Sequence, residues 1–235
     1  TRLVSDWSSD VCSSDLAIQA GTQEEIRLRA AMMASVDEGV GMILESLART
    51  KQLDDTAILF LGDNGYFFGE HGLGPERRFA YEEGIRSPFV VRYPPRVKAG
   101  SRRRELVICQ DLAPTFIALA GGRPGPQIQG RSLLPLLAHG PSRLRTGWRR
   151  SILCEYWAEQ AMSWLVGMSY KAVRTDRWKY IHWVNRGRDG ELDELYDLDA
   201  DPYELKNLNG SRAHAPVRER LRRELRGLVA DALGL

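Results

Sequence analysis

At 235 residues, 43% hydrophobic and 27% charged, the chain has the composition of a soluble globular protein, with room for one large domain or two small ones. A net charge of +2 gives no ground for nucleic-acid binding, and no apolar run reaches the roughly 18 residues needed to span a bilayer. Cys12, Cys109 and Cys154 lie far apart without CxxC spacing, so neither a disulfide framework nor a zinc site is indicated.

Residues 1–16, TRLVSDWSSDVCSSDL, show neither helical nor strand periodicity. Asp6–Leu16 can be encoded by a common short-read sequencing adapter read in frame, so 1–16 is expected to be a non-native leader. The alternative is a genuine polar leader. Cys12 is therefore left out of any functional argument, and no signal peptide is visible.

From Thr22 to Leu47 the pattern turns helical. Ile26, Met33, Val36, Val40, Ile43, Leu44 and Leu47 recur mostly at spacings of three and four. Thr22 with Glu25 forms a capping box that would start the helix. Gly39 and Gly41 each cost roughly 1 kcal/mol relative to Ala, which close packing against a sheet would explain. After the turn Lys51–Asp55 comes the run Ala57–Leu61, closed by Gly62-Asp63-Asn64-Gly65. A short apolar run ending in turn residues reads as a strand buried on both faces, as in a parallel sheet. Asp63 and Asn64 stand where that strand ends. They are either a plain Asn-Gly turn or a pair of hard oxygen donors suited to Ca²⁺ or Mg²⁺.

Residues 66–78, YFFGEHGLGPERR, form a long loop crowded with Glu70, His71, Glu76, Arg77 and Arg78. It is either a solvated surface loop or a functional one. A helical turn over Phe79–Ile85 and a strand over Ser87–Tyr93 follow, ended by Pro94-Pro95. Leu106–Ala120 reads as a helix with Gln110 or Asp111 as an interior N-cap, because Pro114 fits only a first turn. Leu133–Leu137 is a short apolar turn, and His139–Arg149 a polar linker. Ser151–Tyr156 reads as a strand, and Lys171–Trp183 as a hairpin turning at Thr175-Asp176. Glu194–Leu198 is a further strand, and Pro216–Leu233 an amphipathic helix with Leu221, Leu225, Leu228 and Val229 on one face. Trp157, Trp164, Trp178 and Trp183 are either core filling or the lining of a sugar site.

In this order, SVDEGVG, DDTAILFLGDNG, EHGL, YEEGIRSPFVVRYP, DLAPTFIALAG, IQGRSLLPLL, RTDRWKYI and ELYDLDADPYELKNL resemble the C-terminal half of a type I sulfatase. These are alkaline-phosphatase-like hydrolases with a formylglycine nucleophile. The resemblance implies an α/β fold: part of a mixed, mostly parallel sheet flanked by helices, plus a small C-terminal α+β subdomain with antiparallel strands and a terminal helix. It divides the chain into core residues 17–145 and a subdomain over 146–235.

The resemblance also implies the chemistry. Asp63 and Asn64 would be metal ligands, for Ca²⁺ or alternatively Mg²⁺. The family places a sulfate-contacting lysine four residues before the tyrosine of its YE-G-R segment. Here that position is Arg77, which keeps the charge and can hold two oxyanion oxygens. A serine usually precedes the metal pair, and here it is Gly62. His71 would be a substrate contact or leaving-group acid. The C/S-x-P-S-R motif that yields formylglycine is absent, as Cys109 and Cys154 do not fit it. The nucleophile and the remaining ligands are expected in an N-terminal half outside this chain, which by itself should be inactive.

The implied substrate is a sulfated small molecule or carbohydrate, with features of enzymes acting on sulfated glucosamine units. The implied localisation of the parent is periplasmic or extracellular; the sequence itself gives none. Two alternatives stay open. One is a phosphonate or phosphate monoester hydrolase of the same superfamily. The other is a stand-alone carbohydrate-binding or interaction domain.

Overall fold

The computed structural model describes residues 20–74, 76–137, 147–158, 168–184 and 190–234, with side chains from residue 23 onward. The 1–16 segment, Pro75, most of the expected linker at 139–149, and Trp164 lie outside the described residues.

Helix α1 (Ala20–Arg49) begins two residues before the expected capping box. Its periodicity holds, but its environment differs from expectation. Met33, Val36 and Ile43 are exposed, and a Cβ on Gly39 or Gly41 would meet nothing within 4 Å. Among the described residues no sheet packs on those glycines.

Strand β1 (Ile58–Leu61) pairs with β2 (Phe89–Arg92) in antiparallel register, Ile58 opposite Arg92 and Leu61 opposite Phe89. All four β1 residues are only half-buried. The strand is where the sequence places it, but this neighbour is antiparallel and both faces are not covered. Arg92 anchors the preceding turn: its guanidinium donates to the Leu53 carbonyl at 2.5 Å and to Asp54 at 2.7 Å. Between the strands sits the single turn α2 (Glu82–Ile85).

The expected helix over Leu106–Ala120 is shorter. A 3₁₀ turn at Cys109–Asp111 leads into α3 (Leu112–Leu119), with Pro114 in its first turn. Asp111 does not cap the helix with its side chain. Its buried carboxylate accepts the backbone N–H groups of Ile108 and Arg131 and pairs with the Arg149 guanidinium. A fully buried carboxylate needs that many donors to offset its lost hydration. Thr115 extends the network, accepting the Leu133 N–H and so fixing the entry to α4 (Leu134–Leu137).

The rest is an antiparallel meander, β3 (Ser151–Tyr156), β4 (Ser169–Thr175), β5 (Trp178–Val184) and β6 (Glu194–Asp197), followed by α5 (Ala215–Leu233). The hairpin turns at Asp176-Arg177, next to the expected position. Period-2 alternation gives the sheet two working faces. Val173, Tyr180 and Leu195 join Leu221 and Leu225 of α5. Tyr170, Ala172, Ile181 and Tyr196 pack instead on Ala80 and Tyr81, which precede α2. The α/β class therefore stands, with the C-terminal antiparallel sheet and terminal helix in place.

Candidate active site

Asp63 and Asn64 occupy the turn where β1 ends. The Asp63 carboxylate is exposed and accepts the Asn64 N–H at 2.9 Å. The Asn64 amide nitrogen donates to the Gly65 carbonyl at 2.6 Å, a bond that sets the amide's orientation. Gly65 then docks the turn against α2. Its N–H donates to the Gly84 carbonyl at 2.9 Å, and a Cβ there would lie 1.9 Å from the Glu83 carbonyl oxygen. Only glycine permits so close an approach.

The loop carrying His71 and Arg77 is closed by an antiparallel bridge between Phe67 and Glu76, with the Phe67 N–H donating at 2.8 Å. Phe67 is fully buried and meets Phe79, Tyr81 and His71 edge-on. Glu76 accepts the backbone N–H groups of Arg77 and Arg78 and the Arg78 guanidinium. Burial would raise its pKa, but these hydrogen bonds outweigh burial and lower it. Arg77 itself is exposed. Its guanidinium acts electrostatically on Tyr66, whose ring also carries Arg29 at 4.0 Å.

His71 is not an open surface group. It takes a left-handed backbone conformation (φ 56°), stacks on Tyr81 at 4.0 Å, and sets Nε2 3.3 Å from Glu83 Oε2. Tyr81 in turn donates to Glu194 of β6 at 3.0 Å, and Tyr196 and Trp183 donate to the same carboxylate. Burial, then the Glu194 charge, pushes the Tyr81 hydroxyl pKa up, so it stays a hydrogen-bond donor.

The structure thus ties the Asp63-Asn64 turn and His71 to one element, the 81–85 turn. It also reveals what fixes that turn, which the sequence reading passed over. The Glu82 N–H donates to Glu204 Oε2 at 2.6 Å. Lys179, 0% exposed, places Nζ 2.9 Å from Glu82 Oε1 and 2.7 Å from Glu204 Oε1. These short separations make ion pairs, although their angles fall outside hydrogen-bond geometry. Arg174 adds a two-pronged contact to Glu82 at 3.1 and 3.3 Å. Burial opposes the Glu82 charge, but Lys179 and Arg174 prevail and lower its pKa to about 2. Glu204 moves the other way, because burial outweighs Lys179. A signal existed: a lysine between Trp178 and Tyr180, in a strand covered on both faces, must find a buried anion.

Asp63 and Asn64 supply hard oxygens of the kind Ca²⁺ and Mg²⁺ prefer. They fit such a cation in donor type and not in number. Among the described residues no group of three His, Cys, Asp or Glu side chains gathers to hold a metal. Cys109 is exposed and outside the 62–85 loops, and burial pushes the Cys154 thiol up to about 11.

Asp63 and Asn64 thus stand at a strand end next to a loop of mixed charge, with the C-terminal sheet packed on the 80–81 segment that precedes α2. Two family models match, one described as N-sulphoglucosamine sulphohydrolase, C-terminal, over residues 69–231, and one as Sulfatase over residues 6–122. The chain belongs to the sulfatase family, within the alkaline-phosphatase-like superfamily. An N-acetylglucosamine-6-O-sulfatase of Bacteroides thetaiotaomicron is 36% identical over 199 residues, covering 85% of this chain and 34% of that protein. A structure solved in complex with its substrate D-glucosamine-2-N,6-O-disulfate superposes with TM-score 0.75 at 35% identity, over 83% of this chain and 38% of that one. The phosphonate monoester hydrolase of Agrobacterium radiobacter gives TM-score 0.73 at 27% identity, over 85% and 40%. The chain spans about a third of the length of the curated relative described here.

Proposed function

We propose that this chain is the C-terminal part of a sulfatase that hydrolyses sulfate monoesters on sulfated carbohydrates, with a divalent cation at Asp63 and Asn64. The observation that carries the reading is the Asp63-Asn64 turn, locked by Gly65 onto the element that also holds His71. When bound, the cation would offset the charge on the sulfate oxygens and polarise them. Arg77 would bind the sulfate through its planar fork of N–H donors. Glu83 and Tyr81 orient His71, so that its imidazole can hold or pass a proton at the leaving oxygen. The chain carries no C/S-x-P-S-R motif, so the nucleophile is assigned to sequence outside it and the chain alone is expected to be inactive. Glucosamine-type sulfates are favoured by the names of the relatives.

The test joins this chain to the N-terminal half of a close relative and assays an aryl sulfate and a glucosamine 6-sulfate. Turnover is expected only with both parts. Asp63→Ala should lower kcat/KM on the order of a hundredfold or more, with excess Ca²⁺ restoring little. Hydrolysis by this chain alone would overturn the reading of its incompleteness. The likeness to the phosphonate monoester hydrolase supports a second reading, so a phosphonate monoester belongs in the assay. Faster turnover of that ester than of either sulfate would replace the first reading with the second.

A further inference from the structure

Of the four tryptophans that the sequence offers as a sugar platform, the three described ones, Trp157, Trp178 and Trp183, part company in the structure. Trp178 packs against the apolar layer beneath α5, and Trp183 bonds to Glu194 among the aromatics around Tyr81. Trp157, just past the end of β3, is 59% exposed. It stands at a cleft of about 360 Å³ between the sheet and α5, within the size range of small-ligand sites. The cleft has a floor of Leu225 and Val229 and carries Lys171, His182 and Arg226. An adjoining cleft of about 120 Å³ shares His182 and Arg226 and adds Arg222.

The lining sets an aromatic face beside cationic side chains. Lys171 Nζ lies 5.3 Å from the Trp157 ring centroid and 3.5 Å from Glu155, its one carboxylate neighbour there. Asp193 is buried beneath, where it takes His182 Nδ1 at 2.9 Å and the Tyr180 hydroxyl, and so fixes the imidazole ring. Arg226 is exposed. Lys171 and Arg226 are the cations of the larger cleft, beside the Glu155 carboxylate and above the buried Asp193, while Arg222 of the adjoining cleft lies 3.8 Å from Glu219. A flat aromatic face beside cations suits a ligand with an apolar C–H face and anionic substituents. Period-2 alternation puts His182 on the α5 side of the sheet, and Trp183 with Tyr81 on the other.

We propose that this cleft is a second saccharide site, binding an anionic sugar unit with its ring on Trp157 and its sulfate between Lys171 and Arg226. The choice of sulfate as the anion rests on the sulfated-carbohydrate reading above; the aromatic-and-cation geometry does not.

The test is calorimetric or NMR titration of this chain with three probes: a heparin-derived sulfated disaccharide, its unsulfated counterpart, and inorganic sulfate. The sulfated disaccharide should bind saturably and tightest. Trp157→Ala and Arg226→Gln should each weaken it about tenfold, while Trp157→Phe, which keeps a stacking face, retains most affinity. Circular dichroism of each variant checks folding, and Trp157→Phe with Arg226→Gln keeps the test alive if Trp157→Ala fails to fold. The proposal is overturned if the disaccharide does not bind, or if binding ignores both positions and depends only on Arg77. It is also overturned if inorganic sulfate binds as tightly as the sugar, which would make the cleft a plain anion patch. Hydrolysis by the two-part enzyme is scored separately, so loss of the catalytic reading and loss of this site are distinguishable.

Discussion

Gly65 shows how little space the Asp63-Asn64 turn has. A methyl group there would sit 1.9 Å from the Glu83 carbonyl oxygen and 2.6 Å from that of Arg86. Gly65→Ala must therefore push the Asp63-Asn64 turn off the 81–85 turn. Its expected cost is about 2–4 kcal/mol in urea denaturation, because backbone has to move on both sides. Gly72→Ala, where a Cβ meets nothing within 4 Å, should cost only the smaller penalty of its positive φ. Equal destabilisation by the two would show that the close approach is not what holds the turn. The place of Asp63 and Asn64 at the end of a strand is legible because the turn and its strand lie within a few adjacent residues. His71 was legible as a titratable loop residue only. That it stacks on Tyr81 and faces Glu83 depends on the fold of the loop, which local sequence does not encode.

At the level of elements, β5 carries the information the sequence reading lacked. Its hairpin with β4 and its aromatic pattern were readable, since both are local. Its lysine was not, because the partners Glu82 and Glu204 are 97 residues upstream and 25 downstream. Lys179→Ala leaves two buried carboxylates without their shared cation, and it should destabilise the chain by about 3–5 kcal/mol. The pH dependence follows from the same cluster. Glu82 titrates near 2 in the folded chain, below its ordinary value of 4.5, so its stabilisation is complete above about 4.5. It is lost as pH falls toward 2, and would amount to roughly 3 kcal/mol if Glu82 acted alone. Glu204 has the opposite sign: its raised pKa favours the folded state at low pH, and that advantage disappears as pH rises through the raised value. The net acid loss is therefore smaller than the Glu82 share. Denaturation midpoints at pH 7 and pH 3 should differ less in Glu82→Gln than in the parent chain. An unchanged difference would mean the acid limb arises elsewhere.

On the scale of the whole molecule, the sheet and α5 bury a core while α1 does not. Leu221 is 0% exposed, yet Met33, Val36 and Ile43 on the apolar face of α1 are 52%, 43% and 60% exposed. The 3.6-residue period correctly marks a helix with an apolar face. What covers that face cannot be read from a stretch whose covering surface lies elsewhere. The relative described above is about three times as long as the region it shares with this chain, and we expect the rest of its fold to supply such a surface. A contiguous apolar stripe left in water drives association. The chain should therefore self-associate at tens of micromolar, with light scattering giving a mass well above the 26.5 kDa of one copy. Met33→Glu with Ile43→Glu should shift it toward the monomer without changing its stability in urea by more than about 0.5 kcal/mol, since neither side chain is buried. Addition of the N-terminal half of a relative should compete with self-association, and amides of α1 should then gain protection from hydrogen exchange. A monodisperse chain at those concentrations, unaffected by the double substitution, would show that the α1 face needs no partner.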